Sequence, residues 1–172
     1  LSNETPWGTM KYLELAETKS LPRVASIQTA YNLVNRGFEI GLSEVAMHEQ
    51  VGLLAYSPLA QGTLTGKYLG GQMPQGSRLA LFGDGPLMMR YKGDKTQQAI
   101  EMYVNLAKKY EIDPAQLAIQ FCNIQPFVTS TIIGATTMEQ LKTCIDSVDL
   151  DITKEIINEI RSIHKEIPNP AP

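Results

Sequence analysis

The chain has few of the residues that announce a specialised class of protein. Its 172 residues hold two cysteines, one tryptophan and two histidines, and 18 acidic side chains stand against 15 basic ones. Cys122 and Cys144 lie far apart, with no C-x-x-C pair and none of the density of a disulfide scaffold. That pattern argues against a zinc ribbon or a stapled secreted fold and favours a reducing, cytoplasmic setting. A formal net charge of −3 argues against a general nucleic-acid binder, leaving only local basic clusters that could hold a small anion. No apolar run approaches the roughly 20 residues of a membrane-spanning helix. His48 and His164 both fall inside helical patterns at positions expected to be exposed, which makes them poor candidates for catalysis.

What is present is ordinary globular material, 43% hydrophobic and 19% charged, enough for one core and therefore one domain over residues 1–172. Apolar patterning alternates between strand and helix. Thr5-Pro6 predicts a cap and first turn of a helix running to about Lys19. RVASIQTAY (23–31) and LLAYS (53–57) read as buried strands around a short helix that Ser43 would cap and Gly52 would end. The stretch 59–93 is too long for an ordinary connection, and such loops are commonly functional. Helices are expected over Thr96 to Tyr110 and from Pro114 to about Ile124. A third strand, FVTSTIIG (127–134), precedes a helix over MEQLKTCIDSV and a last amphipathic helix.

Short continuous apolar strands between helices point to a parallel sheet covered by helices, in which ligands meet the carboxyl ends of strands. Polar residues gather at those ends: Ser2-Asn3, Gln28, Tyr56-Ser57, and Gly134 to Thr137. Each has a plain alternative. The turn at Gly134 to Thr137 opens a helix, whose free N–H groups suit a phosphate, yet Thr136 or Thr137 could simply cap it. Gln28 could pair within the sheet, Tyr56 could pack in the core, and Lys67 and Arg78 could be solvated rather than clamping an anion. Cys122 reads as a small buried hydrophobe.

Four segments in this order and spacing carry a family likeness: LSNET (1–5), IQTAYNLVNR (27–36), AYSPLAQGTLTGKY (55–68) and STIIGATTMEQLKT (130–143). Together they resemble the aldo-keto reductase superfamily, nearest in wording to its bacterial Tas-like branch and more distantly the potassium-channel β-subunits. The resemblance implies a (β/α)8 TIM barrel of about twice this length. This chain, which opens at Leu1 without a methionine, is expected to be its carboxyl-terminal half, from the end of the fifth strand through the eighth, with the amino-terminal half as a partner.

The resemblance further implies NADP(H) as cofactor and an aldehyde or ketone as substrate. Ser2, Asn3 and Gln28 would hydrogen-bond the nicotinamide carboxamide, and Tyr56 would stack on the ring. Ser57, Leu59, Gln61 and Gly62 would line the pyrophosphate, with Lys67 and Arg78 on phosphate groups. Gly134, Ala135, Thr136 and Gln140 would hold the adenosine end. Cys144 stands where the family commonly has an asparagine on the adenine edge, which implies a missing contact that Cys144→Asn would restore. The family's acid tyrosine, with its lysine, aspartate and histidine, comes from the first four strands. Tyr12, Tyr31 and Tyr68 do not match that motif, so these residues alone are expected to lack turnover. Two other readings compete: a non-catalytic NADP(H)-binding sensor like the channel β-subunits, and a generic phosphate-binding α/β domain. Segment 79–91, with its methionines and Phe82, would be cofactor cover, substrate wall or partner surface.

Overall fold

A computed structural model describes residues 1–83 and 85–172, so the long loop is described apart from Asp84. Three parallel strands form the sheet in chain order: β1 (Ser26–Ala30), β2 (Gly52–Tyr56) and β3 (Val128–Thr131). Ser2 adds a parallel bridge to Gln28 on the outer side of β1, so the opening residues occupy the place of a fourth strand end. Leu1 and Asn3 clamp that bridge, the Gln28 N–H donating to Leu1 O at 2.8 Å and the Asn3 N–H to Gln28 O at 2.9 Å. The architecture is α/β with a parallel sheet, as the alternating pattern implies, and agrees with part of a barrel.

β1 and β3 are shorter than their apolar runs suggest, because RVA and Ile133-Gly134 extend beyond the paired region. Leu53 and Ala55 are fully buried against the helices, while Gly52, Leu54 and Tyr56, which alternate with them, are half-buried. Gly52 belongs to β2 and does not terminate the preceding helix. A Cβ on it would lie 1.8 Å from Thr129 Oγ1, so glycine lets β3 approach. The register there shifts: Leu53 pairs with Val128 and Leu54 with Ser130, leaving Thr129 as an extra residue.

Eight α-helices surround the sheet among the described residues. On one side of the order come α1 (Pro6–Thr18) and α2 (Leu42–Glu49). Within the long loop lie two short helices, α3 (Arg78–Phe82) and α4 (Pro86–Met89). After the loop follow α5 (Asp94–Lys109), α6 (Pro114–Asn123), α7 (Met138–Asp146) and α8 (Lys154–Glu166). Capping sets several boundaries. Thr5 accepts from the Gly8 N–H with Pro6 in the first turn, and Asp113 accepts from both Ala115 and Gln116 ahead of α6. Ser43 is not a cap: Gly41, at φ 90°, precedes α2, and the Ser43 hydroxyl donates instead to Glu39 O. Left-handed Gln50 ends that helix.

The core lies between the sheet and α5, α6 and α8. Tyr31 stacks on Phe121 at 5.7 Å between centroids and meets Phe127 edge-on at 5.4 Å. Its hydroxyl donates to Glu39 Oε1 at 2.6 Å, and Glu39 is held bidentately by Arg36. Burial, then the bond to Glu39, push the Tyr31 hydroxyl far above its ordinary pKa, so it stays protonated. Cys122 is fully buried, as its place in the pattern implies, and burial raises its thiol. His164 is half-buried rather than exposed. Burial first and Arg36 second hold its pKa below 6.5, against the pull of Glu39.

Candidate functional site

The strand ends meet at the carboxyl edge of the sheet. Asn3, left-handed at φ 50°, is the hub. Its Oδ1 accepts from the Thr29 hydroxyl at 3.2 Å and from the Tyr56 hydroxyl at 3.1 Å, and its Nδ2 donates to Ser2 Oγ at 3.2 Å. One amide therefore ties together the opening residues, β1 and β2. Asparagine suits the post because it tolerates the left-handed region and offers both donor and acceptor. Ser2, Asn3 and Gln28 are all exposed, so their unused donors and acceptors face solvent.

Past Tyr56 the backbone enters a tight turn. Ser57, Ala60, Gln61 and Gly62 have φ of 53°, 49°, 60° and 90°. Three non-glycine residues in this region within five positions store strain of order 1–3 kcal/mol each, the kind of cost that clusters at ligand sites. Side chains hold the turn: Gln61 Nε2 donates to Ser57 Oγ at 2.9 Å, and Arg78 Nη1 donates to Gln61 Oε1 at 2.6 Å. Arg78 thereby tethers α3 to the turn. Lys67 lies against Gly62 and over the Tyr68 ring, 5.2 Å from its centroid. Leu59 is half-buried beneath. The two cations expected to clamp an anion thus both reach one strained turn, Arg78 from α3 and Lys67 against Gly62.

At the third strand end, residues 134–140 are exposed. Thr137 caps α7 by accepting from the Gln140 N–H at 3.2 Å, and Gln140 Oε1 takes the Thr136 N–H at 3.0 Å. Both alternatives read from the sequence therefore bear on this turn: it is a working cap, and it is also open. Nothing lies within 4 Å of where a Gly134 Cβ would be, and residues 133–138 with Leu141 border an open hollow of about 300 Å³. Cys144 is placed otherwise than its neighbours. It is 6% exposed and turned inward, whereas Ile145 and Val148 are 57% and 63% exposed. Burial raises its thiol pKa. A hydrogen-bonding group at 144 would point into packing.

Sequence reasoning passed over Asn32 and Thr29. Asn32 is fully buried, yet its amide donates to Ser57 O at 2.9 Å. The signal was an asparagine directly after a strand, a residue type that commonly bonds its own backbone at turns.

The profile of the Aldo/keto reductase family matches residues 1–165. The chain belongs to the aldo/keto reductase family. Among its relatives, Protein tas of Escherichia coli is 50% identical over 172 residues, covering 100% of this chain and 49% of that protein. The L-glyceraldehyde 3-phosphate reductase of Escherichia coli is 32% identical, over 87% of this chain and 43% of the relative. A probable voltage-gated potassium channel subunit beta of rice is 35% identical, over 94% and 53%. The chain spans about half the length of the curated relatives it matches. Among the described residues no helix is long and apolar enough to cross a membrane.

Proposed function

We propose that this chain supplies the cofactor-holding part of an NADP(H)-dependent oxidoreductase that reduces aldehyde or ketone carbonyls. The observation that carries the reading is the hub at Asn3, which binds three strand ends into one polar edge beside a strained, cation-flanked turn. The residues present fit the dinucleotide. Exposed amides at Asn3 and Gln28 suit a carboxamide. Tyr56 is a half-buried ring fixed by its hydroxyl. The turn at Ser57, Leu59, Gln61 and Gly62, with Lys67 and Arg78, suits a pyrophosphate. The open cap at Gly134, Ala135, Thr136 and Gln140 suits the adenosine end. Cys144 enters only as packing beneath that cap. When bound, NADPH supplies the hydride for a carbonyl carbon, and the protein contributes orientation and electrostatics.

No tyrosine of this chain is assigned as the acid. Tyr31 and Tyr103 are buried with pKa values raised by desolvation, and Tyr56 is committed to Asn3. The acid, with its lysine, aspartate and histidine partners, is proposed to come from an amino-terminal half that docks on the sheet edges. Trp7 and Met10 on α1 and Met138 and Ile145 on α7 are large apolar side chains left exposed, which supports such a partner.

The test is NADPH oxidation by the complete polypeptide with an aromatic aldehyde. Saturable turnover is expected, and none from residues 1–172 alone. The likeness to a channel β-subunit favours one other reading, a sensor that holds NADP(H) without turnover. Tight NADPH binding with no reduction of any aldehyde or ketone tried would favour it.

A further inference from the structure

We infer that Asn32 is a positioning residue for the phosphate turn, and that the carboxyl-terminal tail holds it in place. The inference rests on the dinucleotide reading above and adds a mechanism by which distant residues set the shape of the site.

Asn32 sits just beyond β1, fully buried. Its Oδ1 accepts from the Val34 N–H at 3.0 Å and the Asn35 N–H at 2.9 Å, closing a small loop that the paired backbone bonds between residues 32 and 35 also fasten. The other end of the amide leaves this loop. Nδ2 donates to the carbonyl of Ser57 at 2.9 Å. The buried Tyr91 hydroxyl lies beside the same amide. Ser57 is the first left-handed residue of the turn, and its hydroxyl takes the bond from Gln61 that Arg78 continues. A carbonyl pinned from below fixes the peptide plane that follows Ser57, so Asn32 opposes relaxation of a backbone conformation that a serine rarely adopts.

The loop carrying Asn32 is itself strapped. The Arg36 N–H donates to Asn169 Oδ1 at 2.7 Å, the Ala171 N–H donates to Val34 O at 3.1 Å, and Thr96 Oγ1 donates to Pro170 O at 2.7 Å. Ala171 is 1% exposed although it is the penultimate residue described. A continuous set of bonds therefore runs from residues 169–171 through the 32–36 loop to Ser57 and Gln61. Only its far end, Ser57 and Gln61, lines the proposed pyrophosphate, so Asn32 and the strap act through Ser57.

The experiment measures NADPH dissociation constants by quenching of nicotinamide or protein fluorescence in the complete polypeptide. Asn32→Asp, measured at pH 8 where the carboxyl is favoured to ionise, keeps an acceptor for Val34 and Asn35 but replaces the donor to Ser57 by an oxygen facing that carbonyl, and it is expected to weaken NADPH by at least about tenfold. Asn169→Ala, at the half-buried strap, is expected to weaken it about twofold to threefold and decides the matter if the first variant fails to fold. Ile160→Val, a core change remote from the chain of bonds, should lower the melting temperature without moving the constant. Positioning also predicts that Gln61→Ala costs less in the Asn32→Asp background than alone. Variants that bind as the parent does, or costs that simply add, overturn the inference while leaving the cofactor reading intact. A parent that does not bind NADPH removes the cofactor reading and this inference with it.

Discussion

At Gly62 the backbone runs at φ 90°, and a Cβ there would lie 3.0 Å from both Cε and Nζ of Lys67. Gly62→Ala should therefore cost about 1–2 kcal/mol in urea unfolding and displace Lys67, weakening NADPH in the same protein. Cys144→Asn separates what the resemblance implies from what burial allows. An amide at a site 6% exposed costs about 1–3 kcal/mol unless it finds a partner. We expect a lower melting temperature and no gain in NADPH affinity; a tighter constant would show that position 144 reaches the adenine. At this scale the sequence conveys residue type but not direction. Gln28 and Tyr56 could be picked out because polar side chains at strand ends are unusual. Asn32 could not, because only its partner, 25 positions away, distinguishes it from an ordinary turn asparagine.

Among the elements, helix ends were the most readable, because capping is local chemistry. Thr5-Pro6, Asp113-Pro114 and Thr137 all cap as their types suggest. Asp113→Ala should cost about 1 kcal/mol, seen as a shift in the unfolding midpoint, since two N–H groups lose their acceptor. Ser43 misled because Gly41, two residues earlier, is the cap and α2 has already begun at Leu42. The bulge at Thr129 could not be read either: it depends on a glycine of a neighbouring strand 77 positions back. Burial of His164 on α8 beside Arg36 and Glu39 sets a pH response. Burial, then Arg36, holds the pKa of His164 below 6.5 in the folded protein. As pH falls below 6.5 the unfolded chain takes up a proton that the folded one resists, so stability declines. His164→Gln should flatten that limb of the stability profile, while the further loss as Glu39 protonates below 4.5 remains. Glu39 is depressed because Arg36 and Tyr31 outweigh its burial.

For the molecule as a whole, a parallel sheet of this kind normally has both faces and both edges covered. Here Met138 on α7, Trp7 on α1 and Val148 just beyond α7 are 78%, 73% and 63% exposed. Residues 1–172 expressed alone should therefore associate or bind a hydrophobic dye, and sedimentation will show a monomer only if these faces are tolerated in water. The class of fold followed from the alternation of strand and helix, whereas closure into a barrel rests on the family. Under the proposed function, three separated strand ends form one dinucleotide site. Hydrogen–deuterium exchange of the complete polypeptide with and without NADPH tests it most directly. We expect slower exchange together at residues 57–62 and 134–140, with α8 unchanged. No protection at either segment, or protection confined to one, would contradict it.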